Sequence, residues 1–310
     1  MEPEVKKRLA ELAPGRVGFG VPLAPLTTFG LGGRAAVLAE PDTVAELAGF
    51  LGYVRERGLA WFLLGGGSNV LFRDGGFAGV VIRLGPSFGR IETRPAGKDE
   101  VLVDAGAAAP TPALLALTRR EGLTGLEFLA GIPGRVGGAL AMNAGTREGQ
   151  AAGAVAGVEI LEASGRTRLL RREELKPGYR RLELPEEAVI LKGIFRLRRD
   201  APEMVEARVS AQLERRAASQ PRGVRSAGSV FRNPPGDFAG RLIEQAGLKG
   251  RRIGGAWVAR EHANFIVHQG GATSGQVLAL MEEITHAVRE RFGIELEPEV
   301  IVAGQNGEAD

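Results

Sequence analysis

Apolar residues recur along this chain at two spacings, and the spacing changes from segment to segment. Residues 1–20 read as a short helix closed by Pro14-Gly15. Val44, Leu47, Leu51 and Val54 then share one face at helical spacing, with Asp42 as the cap and Gly58 as the stop. An apolar strand ending at Leu38 precedes that helix, and apolar runs at 61–64 and 79–84 follow it, making a βαββ-like unit of mixed α/β type. Residues 102–104 form a further strand. Thr111 caps the next helix, with Pro112 at its first position and Gly122 at its end. A hairpin turns about Ser164-Gly165 between strands at 155–161 and 167–170, and residues 189–197 make another strand. An amphipathic helix over 202–218 (Met204, Val205, Val209, Leu213) leads into a last region. That region holds a short helix near 238–245, a strand at 264–267 and a long helix opened by a capping box of Thr273 and Gln276. The long helix buries Val277, Leu280, Met281, Ile284 and Val288 and ends at Gly293, before a final strand at 296–301.

No period explains two glycine-rich stretches between these elements. The first is Leu64-Gly65-Gly66-Gly67-Ser68-Asn69. Consecutive glycines lose backbone entropy on folding and pack nothing, so such a loop suits the close approach of another backbone or a ligand. Bare N–H groups there form a nest for an anion, a phosphate above all; an ordinary hairpin turn is the alternative. The loop is not a phosphate-binding Walker loop, because no Lys-Ser/Thr follows, nor a Rossmann fingerprint, because no amphipathic helix follows. The second stretch, residues 122–145, sets Leu, Ile, Val and Met between its glycines. A buried loop of this composition either wraps an acceptor-rich ligand such as a dinucleotide or makes an irregular core connection.

Composition narrows the chemistry. With 310 residues, 44% of them hydrophobic and 25% charged, the chain is long enough for two or three globular domains. It has no cysteine, which excludes disulfides, thiolate metal sites and cysteine nucleophiles. His262, His268 and His286 make no recognisable metal motif. The net charge of +3, with acids and bases interspersed, argues against a dedicated nucleic-acid binder. No apolar run spans a bilayer and the charged N-terminus has no signal-like apolar region, so a cytoplasmic protein with no membrane or nucleic-acid partner is expected.

Taken in order, several segments resemble one family, the UDP-N-acetylenolpyruvoylglucosamine reductases, flavoenzymes usually called MurB. They run from Thr27-Thr28-Phe29-Gly30-Leu31-Gly32-Gly33 through Leu64-Gly65-Gly66-Gly67-Ser68-Asn69, Gly131-Ile132-Pro133-Gly134 and Gly178-Tyr179-Arg180. They continue through Ala227-Gly228-Ser229-Val230-Phe231-Arg232-Asn233-Pro234, Ala246-Gly247-Leu248-Lys249-Gly250 and His262-Ala263-Asn264-Phe265-Ile266-Val267 to Glu297-Pro298-Glu299-Val300. The resemblance implies an α+β protein: an FAD-binding fold of the vanillyl-alcohol-oxidase type, made of two α/β subdomains, plus a C-terminal α/β substrate domain. On that division residues 1–85 are the first FAD subdomain, 86–200 the second and 201–293 the substrate domain, with 294–310 packing back on the first. The short connection from Val189 to Pro202 resembles the shorter subtype, which lacks an inserted substrate-covering loop.

The resemblance also implies a reaction: the enolpyruvyl ether of UDP-N-acetylglucosamine is reduced to the lactyl ether, with NADPH supplying the hydride through non-covalent FAD. Ser229 matches the family's general acid, Arg180 the arginine that stabilises the enolate and its carboxylate, and Glu299 the glutamate beside that intermediate. A carboxylate there would repel an anion, so Glu299 is protonated at that step or acts through Arg180 or a water. For the cofactor the match implicates Gly65, Gly66, Gly67, Ser68 and Asn69 at the pyrophosphate, and Gly131, Ile132, Pro133, Gly134, Gly138, Ala139 and Asn143 along its length. For the substrate it implicates Tyr179, Arg232, Asn233, His262 and Asn264, with Arg232 where the family usually carries lysine. A monomer acting on a UDP-sugar is expected. Read by spacing alone, Ser229 is a helix N-cap or turn serine, Arg180 a surface arginine and Glu299 a solvated strand-end carboxylate. The rivals are a non-covalent FAD-dependent oxidase on the same scaffold and a non-catalytic sensor of UDP-sugar or flavin.

Overall fold

The computed structural model describes residues 1–146 and 148–307; the last three residues of the expected 294–310 segment lie outside the described residues. α1 (Pro3–Leu12) buries Val5 and Leu9. The expected helix over 1–20 ends there, and β1 (Val17–Pro22) follows. Gly15, at φ +72°, turns the chain, and Gly18 and Gly20 are poor helix formers. β2 (Arg34–Ala39) leads to α2 (Val44–Glu56). The cap of α2 is Thr43, whose hydroxyl accepts from the Glu46 amide at 3.1 Å, and not Asp42. Asp42 instead accepts from the Ser87 amide (2.7 Å) and hydroxyl (3.0 Å), and these bonds hold its carboxyl below the usual carboxylate range.

β3 (Trp61–Leu63), β4 (Val70–Phe72) and β5 (Phe77–Ile82) flank the triple glycine, and one sheet has the order β1-β2-β5-β3. β6 (Ile91–Pro95) and β7 (Glu100–Gly106) come next. α3 (Thr111–Glu121) takes Thr111 as its first residue rather than as its cap, and Gly122 ends it at φ +59°. β8 (Leu123–Thr124), α4 (Val136–Ala141) and α5 (Ala151–Ala154) follow. β9 (Val155–Leu161) and β10 (Thr167–Arg171) form the expected hairpin, with Gly165 at φ +81°. β11 (Lys176–Gly178) and β12 (Arg181–Glu183) form a small hairpin that the sequence pattern does not announce. β13 (Val189–Arg199) then runs through the centre of a six-stranded sheet of order β10-β9-β13-β7-β6, with β8 pairing β13. Its neighbours β7 and β9 are both antiparallel to it.

α6 (Pro202–Ser219) buries Val205 and Val209. α7 (Ala239–Gln245), β14 (Arg252–Ile253), β15 (Ala256–Val258) and β16 (Ile266–Val267) precede α8 (Ser274–Phe292). α8 opens on the expected Thr273/Gln276 capping box, buries the five expected apolar residues and ends at Gly293, φ +69°. β17 (Ile301–Ala303) runs parallel to β4, pairing Ile301 with Val70.

The chain folds as two compact units. One comprises residues 1–18, 39–66 and 81–216; the other comprises 19–38, 67–80 and 217–310. The first is built on the six-stranded sheet, with Val103, Val158, Ile160, Phe195 and Leu197 in its core. In the second, α8 packs on β14 and β15 of the sheet β14-β15-β16, and α7 packs on α8, around a core that includes Val258, Ile266, Leu280 and Ile284. No described helix is long and apolar enough to cross a membrane.

Candidate active site

In the first unit the glycine stretches meet each other. A side chain on Gly66 would come within 2.6 Å of the Gly134 Cα, so the triple-glycine loop and the second stretch touch through bare backbone. The second stretch is anchored from behind by Thr111, whose hydroxyl donates to the Ile132 carbonyl at 2.8 Å and whose amide donates to Gly134 at 3.0 Å. Gly65 and Gly138 stand in open space: a Cβ on either would meet nothing within 4 Å. Backbone packed on one side and open on the other is what a long phosphate-bearing cofactor needs, and these residues fit FAD in that respect. Ile132 and Ala139 are half-buried, and Pro133 is exposed.

Two arginines that the sequence did not single out flank this stretch. Arg135 donates to the Ala108 carbonyl at 2.8 Å, and burial, with Arg83 adding, holds its pKa below the ordinary value. Arg216 lies against Gly131, 2.7 Å from where a Cβ would be. Burial lowers its pKa too, and neighbouring Arg180 adds to the effect. Partly desolvated cations suit an anionic ligand. Arg135 gave the sequence signal of an arginine inside a glycine-rich segment, whereas Arg216, in α6, is brought to Gly131 by the fold alone.

Arg180 sits at the tip of the β11–β12 hairpin with φ +54°, and its Nη1 donates to the Gly145 carbonyl at 3.2 Å. Its guanidinium carbon lies 5.6 Å from the centroid of the exposed Tyr179 ring. Asn143, expected along the cofactor, is 3% exposed, and its amide is engaged by protein. Nδ2 donates to Gln150 (3.1 Å) and Gly178 (3.0 Å), and Oδ1 accepts from the Ala152 amide (3.0 Å). Both of its donor hydrogens are therefore used.

In the second unit Gly67 has φ +64°, its carbonyl accepts from the Thr28 amide at 3.0 Å, and a Cβ there would strike the Leu26 carbonyl. Asn69 Nδ2 donates to the Glu299 carbonyl at 3.0 Å, and the Asn69 carbonyl accepts from Ile301 at 3.0 Å. This loop is thereby joined to the C-terminal segment rather than only to β4. Ser229 lies beside it, half-buried in extended pairing with Phe265. The next residue, Val230, donates to the Asn264 carbonyl (2.8 Å) and accepts from the Glu299 amide (2.8 Å). Ser229 and Glu299 thus occupy neighbouring chain segments.

These cross-links also explain two differences from the expected strands. The 264–267 strand regularises only at Ile266, and the 296–301 strand only at Ile301. The residues before each bond the irregular Val230–Arg232 segment instead, and Pro298 has no N–H for a ladder. Asn264 takes a framework position: its amide donates to the Phe231 carbonyl (2.8 Å) and accepts from the Phe231 amide (3.0 Å), with only 3% of the residue exposed. Asn233 is exposed, and its Oδ1 accepts from the Ala239 amide at the start of α7 (3.0 Å). Arg232 donates its amide to the Glu297 carbonyl at 2.8 Å and faces the Glu297 carboxylate at 3.7 Å. His262 Nδ1 accepts from the Asn264 amide at 3.2 Å, which fixes the ring beside the Ser229 segment. Burial, then Lys249, lowers the His262 pKa, so the neutral ring is favoured. Among the described residues no cluster of His, Asp and Glu could hold a metal ion.

Comparison with known proteins shows which family the chain belongs to. Residues 35–171 match the FAD binding domain family, and residues 220–303 match the UDP-N-acetylenolpyruvoylglucosamine reductase, C-terminal domain family. A UDP-N-acetylenolpyruvoylglucosamine reductase of Desulfosudis oleivorans is 40% identical over 98% of this chain and 100% of its own length. One from Anaeromyxobacter dehalogenans is 44% identical over 92% of this chain and 84% of its own. The crystal structure of the MurB reductase from Thermus caldophilus superposes with a TM-score of 0.79 at 38% identity, covering 91% of this chain and 97% of that one. A VAO-type flavoprotein from Myceliophthora thermophila, at 13% identity, covers 96% of this chain and 63% of its own with a TM-score of 0.51, a likeness of fold alone.

Proposed function

The chain belongs to the UDP-N-acetylenolpyruvoylglucosamine reductase family, and on that premise we propose how its own residues carry the family's reaction. It is an FAD-dependent oxidoreductase that reduces the enolpyruvyl ether of UDP-N-acetylglucosamine, forming UDP-N-acetylmuramate for peptidoglycan. The observation that carries the residue assignment is the adjacency of Ser229 and Glu299, locked through the Val230 carbonyl.

Bound FAD would supply hydride chemistry here, with NADPH as the source and the methylene carbon of the enolpyruvyl group as the acceptor. Charge then develops on the neighbouring carbon and its carboxylate. The Arg180 guanidinium, whose planar fork matches a carboxylate, holds that charge. The Ser229 hydroxyl delivers a proton to the carbon; a serine suffices because an enolate carbon is a strong base once water is excluded. Glu299, beside Ser229, supplies or relays the replacement proton. Gly65, Gly66, Gly67, Ser68 and Asn69 hold the pyrophosphate, and Gly131, Ile132, Pro133, Gly134, Gly138 and Ala139 line the rest of the cofactor. Arg232, Asn233, His262 and Tyr179 contact the UDP-sugar, and Asn264 contributes by holding Phe231. The division into residues 1–85, 86–200 and 201–293, the monomeric state and the cytoplasmic location complete the reading.

The test is Ser229→Ala. Anaerobic NADPH should still bleach the flavin band, while its return on adding UDP-N-acetylglucosamine enolpyruvate slows by about 100-fold or more. Unchanged reoxidation would remove Ser229 as the proton donor. A wild-type flavin that bleaches but ignores this acceptor would favour an oxidase on the same scaffold.

A further inference from the structure

The turn that carries Arg180 is built against its own sequence. In the β11–β12 register Gly178 faces Arg181, leaving Tyr179 and Arg180 as a two-residue loop. Of those two only Arg180 has positive φ, at +54°. Negative then positive φ is the pattern of a type II turn, whose third position normally takes glycine or asparagine. An arginine there persists only where the surroundings over-determine it. The hairpin itself supplies little: Lys176, Pro177, Gly178 and Tyr179 are exposed, and Leu182 is its buried anchor.

The missing restraint comes from residues 143–145. Asn143 Nδ2 donates to the carbonyl of Gly178, the first residue of the turn, at 3.0 Å, and the Gly145 carbonyl accepts from Arg180 Nη1 at 3.2 Å. Asn143 is itself left-handed, at φ +41°, and 3% exposed. It is pinned by the Ala152 amide on Oδ1 and by Gln150 on its other Nδ2 hydrogen. With both donor hydrogens engaged it has none to offer a phosphate. We propose that Asn143 is a positioning residue for Arg180, its buried carboxamide fixing the Tyr179-Arg180 turn so that the guanidinium is presented to the substrate's carboxylate. This rests on the reading of Arg180 given above.

Asn143→Asp keeps the size and the tolerance of positive φ but removes both donors. Asn143→Gly keeps the backbone and removes the amide altogether. In FAD-loaded protein both variants should slow reoxidation by UDP-N-acetylglucosamine enolpyruvate about 10- to 100-fold. NADPH bleaching and FAD affinity should stay within about 2-fold, because no cofactor contact is lost. In the cofactor-free protein, trypsin should cut between Arg180 and Arg181 faster in both variants than in wild type. The double variant Asn143→Asp/Arg180→Ala should be no slower than Arg180→Ala alone. Multiplying losses would show that Asn143 acts independently of Arg180. Weakened FAD affinity would show that it serves the cofactor, and a defect confined to Asn143→Asp would trace it to the new carboxylate. Each of these overturns the proposal. A slow Arg180→Ala beside a fast Asn143→Asp overturns it alone, whereas a fast Arg180→Ala removes the reading of Arg180 and the proposal with it.

Discussion

Ser229 and Arg180, the proposed proton donor and the proposed anion-stabilising arginine, sit in two differently built places. Ser229 lies in extended backbone with bonded chain on both sides: Asn264-Phe265 on one, Glu297 to Val300 on the other. Arg180 lies at the tip of a short exposed hairpin in a left-handed conformation that costs a non-glycine residue about 1–3 kcal/mol. A ladder of main-chain bonds distributes its restraint and is indifferent to most side chains. A strained turn concentrates restraint on the few groups that hold it. The same contrast separates the glycine loops of the first unit, shaped by the absence of side chains, from the second unit's Ser229 segment, shaped by hydrogen bonds.

One side chain does matter to the Ser229 frame, and it is the place to break the comparison. Asn264→Ala leaves the buried Phe231 amide and carbonyl without partners and should destabilise by about 3 kcal/mol, read as a lower thermal midpoint. An unchanged midpoint would mean that the main chain alone holds the segment. For the glycine loops, Gly66→Ala forces apart two backbones and should cost about 1–3 kcal/mol without any ligand. Gly65→Ala meets no protein atom, so its thermal midpoint should be unchanged while FAD binds about 10-fold more weakly. Equal FAD affinity in Gly65→Ala would take the cofactor away from that side of the loop.

The smallest effect is a pH slope. The folded pKa of His262 is lowered from the ordinary 6.5, chiefly by burial, so between the two values the unfolded chain binds the extra proton. Its contribution to stability is therefore complete above about pH 6.5 and is lost as the pH falls toward the folded value. His262→Gln should shrink the drop in thermal midpoint between about pH 7.5 and 5.5. An unaltered drop would mean that the ring titrates normally.

Much of this was readable before any fold was known. The capping box at Thr273 and Gln276, the stops at Gly122 and Gly293 and the apolar face of α8 are local events, decided within a turn or two of helix. The cap of α2 was not readable. Asp42 and Thr43 are both competent caps, and Ser87, far along the chain, claims Asp42. The β11–β12 hairpin was invisible because Lys-Pro-Gly has low strand propensity and its turn violates the usual residue preference.

The sequence by itself determined the longer helices α2, α3, α6 and α8, the stops at Gly122 and Gly293, the glycine-rich loops and, through its ordered motifs, the family. These depend on neighbours in the chain or on residue types that must be present whatever surrounds them. Only the tertiary structure decided that Asn143 and Asn264 are held by protein groups, that Gly66 packs while Gly65 stays open, and that Glu299 lies beside Ser229. Those outcomes turn on which groups, tens to hundreds of residues apart, reach hydrogen-bonding or van der Waals distance, and no local pattern encodes that.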